Sequence, residues 1–163
     1  MTIFKKEALD QINLSLVATG QRATILIVDD KESNLSVMSG ILKADYHVLE
    51  ARDGLEALAL IENMEDRAAL ACIISDYRMP RLNGVELLER AQLLVPDALR
   101  IIVTGFIDID AIIDSINRGG IYKLIVKPFE VNDFLTAAQG AVKKFEVQRD
   151  LLMQLKKLSH MTA

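Results

Sequence analysis

From residue 23 onward, short β-branched or apolar runs alternate with longer segments of helical period, and that alternation leaves few architectures open. Strands apolar on both sides need cover on both faces, so the pattern predicts a parallel sheet with helices packed against each side. Five strands are expected: Thr24 to Val28, Tyr46 to Glu50, Leu70 to Ser75, Arg100 to Val103, and about Tyr122 to Val126. The partial alternation of the second points to less complete burial. The first helix is expected from about Glu32 to Lys43, with Ser33 or Asn34 capping its first turn. The second follows Asp53 and Gly54 and carries Leu55, Leu58 and Ile61 on one stripe. A third holds Val85, Leu87, Leu88 and Leu94 and is stopped by Pro96. A fourth spans about Asp108 to Asn117, and a long fifth runs from Val131 to His160.

A chain of 163 residues, 51% of them hydrophobic, supports one domain with a sizeable core plus helical extensions. The organisation predicted is an N-terminal amphipathic helical extension over 1–22, a central domain over 23–145, and a C-terminal helical or coiled-coil extension over 146–163. Phe4, Ala8, Ile12 and Leu16 form the N-terminal stripe; Leu151, Leu155 and Leu158 form a C-terminal one that fits a second copy of the chain. A net charge of −4 supplies no basic face, which argues against direct binding of nucleic acid or an anionic membrane. No apolar stretch approaches the ~18 residues of a membrane span, so a cytoplasmic protein is expected. Cys72, the single cysteine, lies in an apolar run and reads as an inert buried thiol.

In an open parallel sheet, ligands sit beyond the carboxyl ends of the strands. Here the first strand ends in Asp29 and Asp30, the third in Asp76, the fourth in Thr104 and the fifth in Lys127. Taken singly, these are ordinary strand-end and loop residues. Gathered on neighbouring strand ends, three carboxylates repel one another unless a cation shares the site, and a hard ion of the Mg²⁺ type suits such oxygen ligands. The same ion would let a carboxylate act as nucleophile toward phosphorus, with Thr104 donating a hydroxyl hydrogen bond and Lys127 an ammonium charge.

The motifs are Ile-Leu-Ile-Val-Asp-Asp at 25–30, Ala-Arg-Asp-Gly-Leu-Glu-Ala-Leu at 51–58, Ser-Asp-Tyr-Arg-Met-Pro-Arg-Leu-Asn-Gly at 75–84, Val-Thr-Gly at 103–105 and Val-Lys-Pro-Phe at 126–129. With them, the chain resembles the receiver domain of bacterial two-component response regulators over about residues 23–145. The resemblance implies a flavodoxin-like doubly wound sheet of order 2-1-3-4-5. It implies Asp76 as phosphoacceptor, Asp29, Asp30 and Asp76 with the Arg78 backbone carbonyl as Mg²⁺ ligands, and Thr104 and Lys127 as the switch hydroxyl and active-site lysine. It further implies a sensor histidine kinase as phosphodonor, slow self-catalysed dephosphorylation, and a cis Lys127-Pro128 bond. Arg78 and Phe106 fall where the family tunes dephosphorylation.

One position departs from the family. Receivers carry Tyr or Phe three residues before the lysine as a rotamer switch, and here that residue is Leu124. Tyr122, two residues earlier and on the same face by strand alternation, is the candidate replacement. The expected output is phosphorylation-dependent dimerisation through the C-terminal helix or docking of an effector protein or output domain. The alternative is a constitutive interaction module that ignores phosphorylation. Residues 116–123 resemble receivers joined to cyclic-di-GMP phosphodiesterases or histidine kinases. A haloacid-dehalogenase-type phosphatase is disfavoured because Arg78 stands where such enzymes place a second aspartate. His160 reads as an exposed residue near the terminus and His47 as a strand residue.

Overall fold

The computed structural model describes residues 22–117 and 120–161. Apart from Arg22, the N-terminal helical extension expected over 1–22 lies outside them. Five strands form one parallel sheet: β1 (Thr24–Val28), β2 (His47–Ala51), β3 (Leu70–Asp76), β4 (Leu99–Gly105) and β5 (Lys123–Lys127), in the order β2-β1-β3-β4-β5. Each crossover runs through a helix: α1 (Glu32–Leu42), α2 (Gly54–Glu62), α3 (Gly84–Leu94) and α4 (Ile109–Asn117); α5 (Val131–Met161) follows the last strand. This is the parallel sheet covered on both faces that the strand pattern predicts, in the flavodoxin-like order that the family resemblance implies.

Strand parity sorts the core into two layers. Ile25, Ile27, Cys72, Ile74, Ile101 and Val103 face α1 and α5, where Leu35, Met38, Phe134 and Phe145 meet them. Leu26, Val28, Ile73 and Ile102 point the other way, onto Ala57 and Ile61 of α2, Leu87 and Leu88 of α3, and Ile112 of α4. Ala137, Ala138 and Ala141 give α5 a small-residue face that lets it lie close to the sheet. Every residue of β1 and β3 is buried, as central strands with cover on both faces must be, while the edge strands β2 and β5 are half open.

Several local expectations change. The second helix turns Gly54, Ala57 and Ile61 inward, with Leu58 packed at the edge of that face, and leaves Leu55 of the expected stripe 46% exposed. The reason is at Gly54: a Cβ there would meet Leu82 Cδ2 at 2.7 Å, and α2 is rotated so that the buried Leu82 sits on the glycine. Neither Ser33 nor Asn34 caps α1; the N-cap position is Lys31, with no side-chain cap bond, and Asn34 is drawn instead to the buried Asp29. Strands β2 and β5 each begin one residue later than expected, at His47 and Lys123. A 3₁₀ turn over Phe106–Asp108 precedes α4. Cys72 is buried, and burial pushes its thiol far above the usual range, as an inert core residue requires. No described helix is long and apolar enough to cross a membrane.

Candidate active site

The sheet order reverses at β1, whose neighbours are β2 on one side and β3 on the other, and the crevice at that reversal opens beyond the strand ends. Register brings the polar residues there together. Val28 pairs with Ser75, Asp76 with Val103, and Gly105 with Lys127, so Asp29, Asp76, Thr104 and Lys127 emerge at nearly the same height.

The Asp76 carboxylate is the centre of this group. It is 8% exposed, and Lys127 Nζ lies 2.8 Å from its Oδ1 and 3.7 Å from Asp29 Oδ2. Asp29 is fully buried; the Lys31 amide donates to its Oδ1 at 2.9 Å and the Asn34 side-chain amide to its Oδ2 at 3.1 Å. Burial pushes the Asp76 carboxyl above the ordinary range, the hydrogen bond and charge of Lys127 oppose that rise, and Asp29 and Asp30 add to it. One ammonium thus faces three carboxylates, which leaves the site with an excess of negative charge.

The loop after β3 fixes the direction of Asp76. Gly84 N donates to Tyr77 O at 2.8 Å and Tyr77 N to Val103 O at 2.9 Å. A Cβ at Gly84 would collide with the Asp76 carbonyl oxygen and approach Ile102 Cδ1 to 2.9 Å, so only glycine permits this closure. Asn83 then caps α3 in a capping box with Glu86. Arg81, at φ 69°, takes the left-handed conformation needed to turn the loop.

Carboxylate oxygens of Asp29, Asp30 and Asp76 lie within 4.8 Å of one another, a spacing that could hold a metal ion. Among the described residues Asp30 has no hydrogen-bond or ion-pair partner, and Asp76 Oδ2 likewise offers free lone pairs. All-oxygen donors, excess negative charge and open lone pairs fit a hard divalent cation such as Mg²⁺. Asp30, Asp76, Arg78, Thr104, Asp108 and Lys127 border a cleft of about 370 Å³ at this point, with room for a tetrahedral oxyanion. Thr104 is buried and its hydroxyl makes only a long bond, 3.3 Å, to Gly105 O, so it can be redirected at small cost.

A family model described as "Response regulator receiver domain" matches residues 25–139. The chain belongs to the response regulator receiver domain family. The receiver is 31% identical over 129 residues to hydrogenase transcriptional regulatory protein HoxA of Bradyrhizobium diazoefficiens, a match covering 79% of this chain and 26% of that protein. It therefore spans about a quarter of the length of the hydrogenase regulators it matches. Among solved structures, the one titled adenylate cyclase from Rhodopirellula baltica aligns at TM-score 0.78 and 28% identity, covering 84% of this chain and 99% of that one. A CheY-like receiver domain protein from Methanospirillum hungatei aligns at TM-score 0.70 and 32% identity, over 78% and 99% of the two chains.

Not every predicted residue joins the receiver's cleft. Tyr122 precedes β5, so the alternation expected to pair it with Leu124 does not reach it. Its ring lies beneath Lys144 Nζ at 5.1 Å, and its hydroxyl stands near Gly140 of α5, 3.3 Å from where a Cβ would be. Leu124 packs at the margin of the layer that includes Ile102, Ile112 and Ile121. Leu151, Leu155 and Leu158 lie far along α5 and are more than half exposed. The Lys127-Pro128 bond is cis, as expected. Two residues, Asn34 and Asp108, take places in the site that their sequence context does not announce. Asn34 supports Asp29, and its spacing of five residues after the aspartate is the available signal. Asp108 read only as a helix start, yet it binds Arg78 through both carboxylate oxygens.

Proposed function

We propose that this receiver takes a phosphoryl group from the phosphohistidine of a sensor histidine kinase onto Asp76, in a Mg²⁺-dependent reaction. The observation that carries the reading is the Lys127 ammonium held 2.8 Å from Asp76 Oδ1 inside the acidic triad. An Asp76 oxygen attacks phosphorus as the phosphorus–nitrogen bond breaks, and the leaving imidazole keeps the electron pair and later takes a proton from water. Lys127 and Thr104 are positioned to bind the phosphoryl oxygens as charge builds on them. Asp29, Asp30, Asp76 and the Arg78 carbonyl would hold Mg²⁺, which would supply positive charge to the phosphoryl oxygens. Asn34 and the Lys31 amide hold Asp29 in place for that ion. Slow hydrolysis returns Asp76 to its starting state, and a cytoplasmic setting belongs to the same proposal.

The output we propose is assembly of two copies through the exposed apolar side chains of the α5 extension, or docking of an effector, in response to phosphorylation. A second reading, a constitutive interaction module, draws on Leu124, which lacks the aromatic ring that couples phosphorylation outward in related receivers.

Intact-mass measurement with Mg²⁺ and acetyl phosphate tests the chemistry. Wild type is expected to gain one phosphoryl group and Asp76→Asn none; equal gain by both would place the acceptor elsewhere. Oligomeric state measured with and without phosphorylation separates the two outputs, because a constitutive module does not respond.

A further inference from the structure

Arg78 stands two residues beyond Asp76 and borders the same cleft as Asp76, Thr104 and Lys127. Its guanidinium is engaged across that cleft. Nε donates to Asp108 Oδ2 at 2.6 Å and Nη2 to Oδ1 at 2.9 Å, so one planar fork occupies both carboxylate oxygens. The arginine holds the Asp108 carboxyl below the usual range, keeping it ionised. The two partners are unequally fixed: the Asp108 side chain is 13% exposed and that of Arg78 67%. The arginine is therefore the partner free to move.

Asp108 closes the 3₁₀ turn that runs straight into α4 at Ile109. Among the described residues of α4 only Ile112 is fully buried, whereas α1 and α3 each bury four. A helix with so little buried surface opens or shifts readily. The Arg78–Asp108 pair thus ties the loop that follows the acceptor to a lightly anchored helix.

We infer that Arg78 is a further phosphoryl-binding residue, which exchanges the Asp108 carboxylate for the phosphoryl group on Asp76 and so releases the start of α4. The inference rests on Asp76 as the acceptor. A phosphoryl group brings about −1.5 to −2 charges and three acceptor oxygens, against a single charge on Asp108, and the guanidinium fork fits either anion. Either anion can accept the same bidentate fork, and the two-thirds-exposed arginine is drawn to the more highly charged one. This exchange gives phosphorylation a path to α4 that needs no aromatic ring at residue 124.

The test uses the full chain with Mg²⁺ and acetyl phosphate, reading the Arg78 Nε–H signal by nuclear magnetic resonance and the intact mass of the same sample. In Asp108→Asn, which removes the charged partner, the signal is expected at the position of a solvent-exposed arginine before phosphorylation and at a hydrogen-bonded position after it. In wild type, amides at 106–112 are expected to exchange several-fold faster once phosphorylated; in Arg78→Ala they exchange fast in both states. If the mass shows the phosphoryl group while Arg78 in Asp108→Asn stays at the exposed position, the inference is overturned. It is equally overturned if Arg78→Ala keeps the wild-type change in exchange. If wild type gains no mass, the acceptor reading itself fails, and the two failures are thereby distinct.

Discussion

Asp76 combines two demands that oppose each other in the folded chain. Its carboxylate must be buried enough to exclude bulk water, yet burial raises its proton affinity, and Lys127 only partly offsets that rise. A carboxyl whose folded pKa lies above its unfolded value stabilises the fold fully below the unfolded pKa, about 3.9, and that contribution is lost as pH rises through the folded pKa. Without divalent ions, ionising Asp76 therefore weakens the fold. Asp76→Asn, which keeps an oxygen for Lys127, is expected to melt higher than wild type at pH 7 in a chelator. The gap should close as pH falls toward 4; a gap independent of pH would show that the carboxylate charge is not its source. Gly84 is constrained by space instead of charge. Gly84→Ala drives a methyl group into the Asp76 backbone, and a loss of ~1–3 kcal/mol in denaturant unfolding is expected, with slower phosphorylation because the acceptor is displaced. A stability within error of wild type would mean that the loop relaxes around the methyl.

At the scale of elements, what the sequence makes legible follows from how each signal arises. Fully buried strands announce themselves as unbroken apolar runs, and β1 begins and ends where its run does. The gathering of Asp29, Asp30, Asp76 and Lys127 was legible for a related reason, since polar residues that interrupt such runs at their carboxyl ends have one place to go in this topology. Of the α2 stripe, Ile61 and Leu58 meet the core and Leu55 does not, because the helix's orientation depends on Leu82, a residue from another loop settling on Gly54, and no periodicity within 54–62 reports that contact. Asn34 was misread because a local capping preference competes with a buried carboxylate five residues earlier, and the buried charge is the stronger partner. Asp108 was invisible for want of its partner: an Arg–Asp pair thirty residues apart carries no spacing rule. Tyr122 shows the same limit at a strand boundary, where a shift of one residue in the start of β5 takes its ring out of the alternation and against α5.

For the molecule as a whole, α5 divides into two parts with different work. Up to Phe145 it closes one face of the sheet; residues 151–161 are all exposed, Leu151 at 57%, Leu152 at 50% and Leu155 at 54% among them. At 1.5 Å per residue, the stretch beyond Phe145 reaches about 24 Å past the packed region. Leu151, Leu155 and Leu158 are spaced by four and three residues, the step of a coiled-coil seam, but they supply only three layers, short of the three to four heptads that mark a self-sufficient coiled coil. A seam of that length makes a weak dimer, and a weak dimer is one that a modest second contribution from the domain can switch. Phosphorylation at the far end of the sheet is the contribution proposed. A chain ending at residue 150 removes the seam and leaves both core layers intact. It is expected to melt close to the full chain and to gain one phosphoryl group at the same rate. By sedimentation or scattering at tens of micromolar, the full chain should shift toward a dimer on phosphorylation while the shortened chain stays monomeric. A full chain that is strictly monomeric in both states, or a shortened chain that still dimerises, would move the assembly surface away from α5.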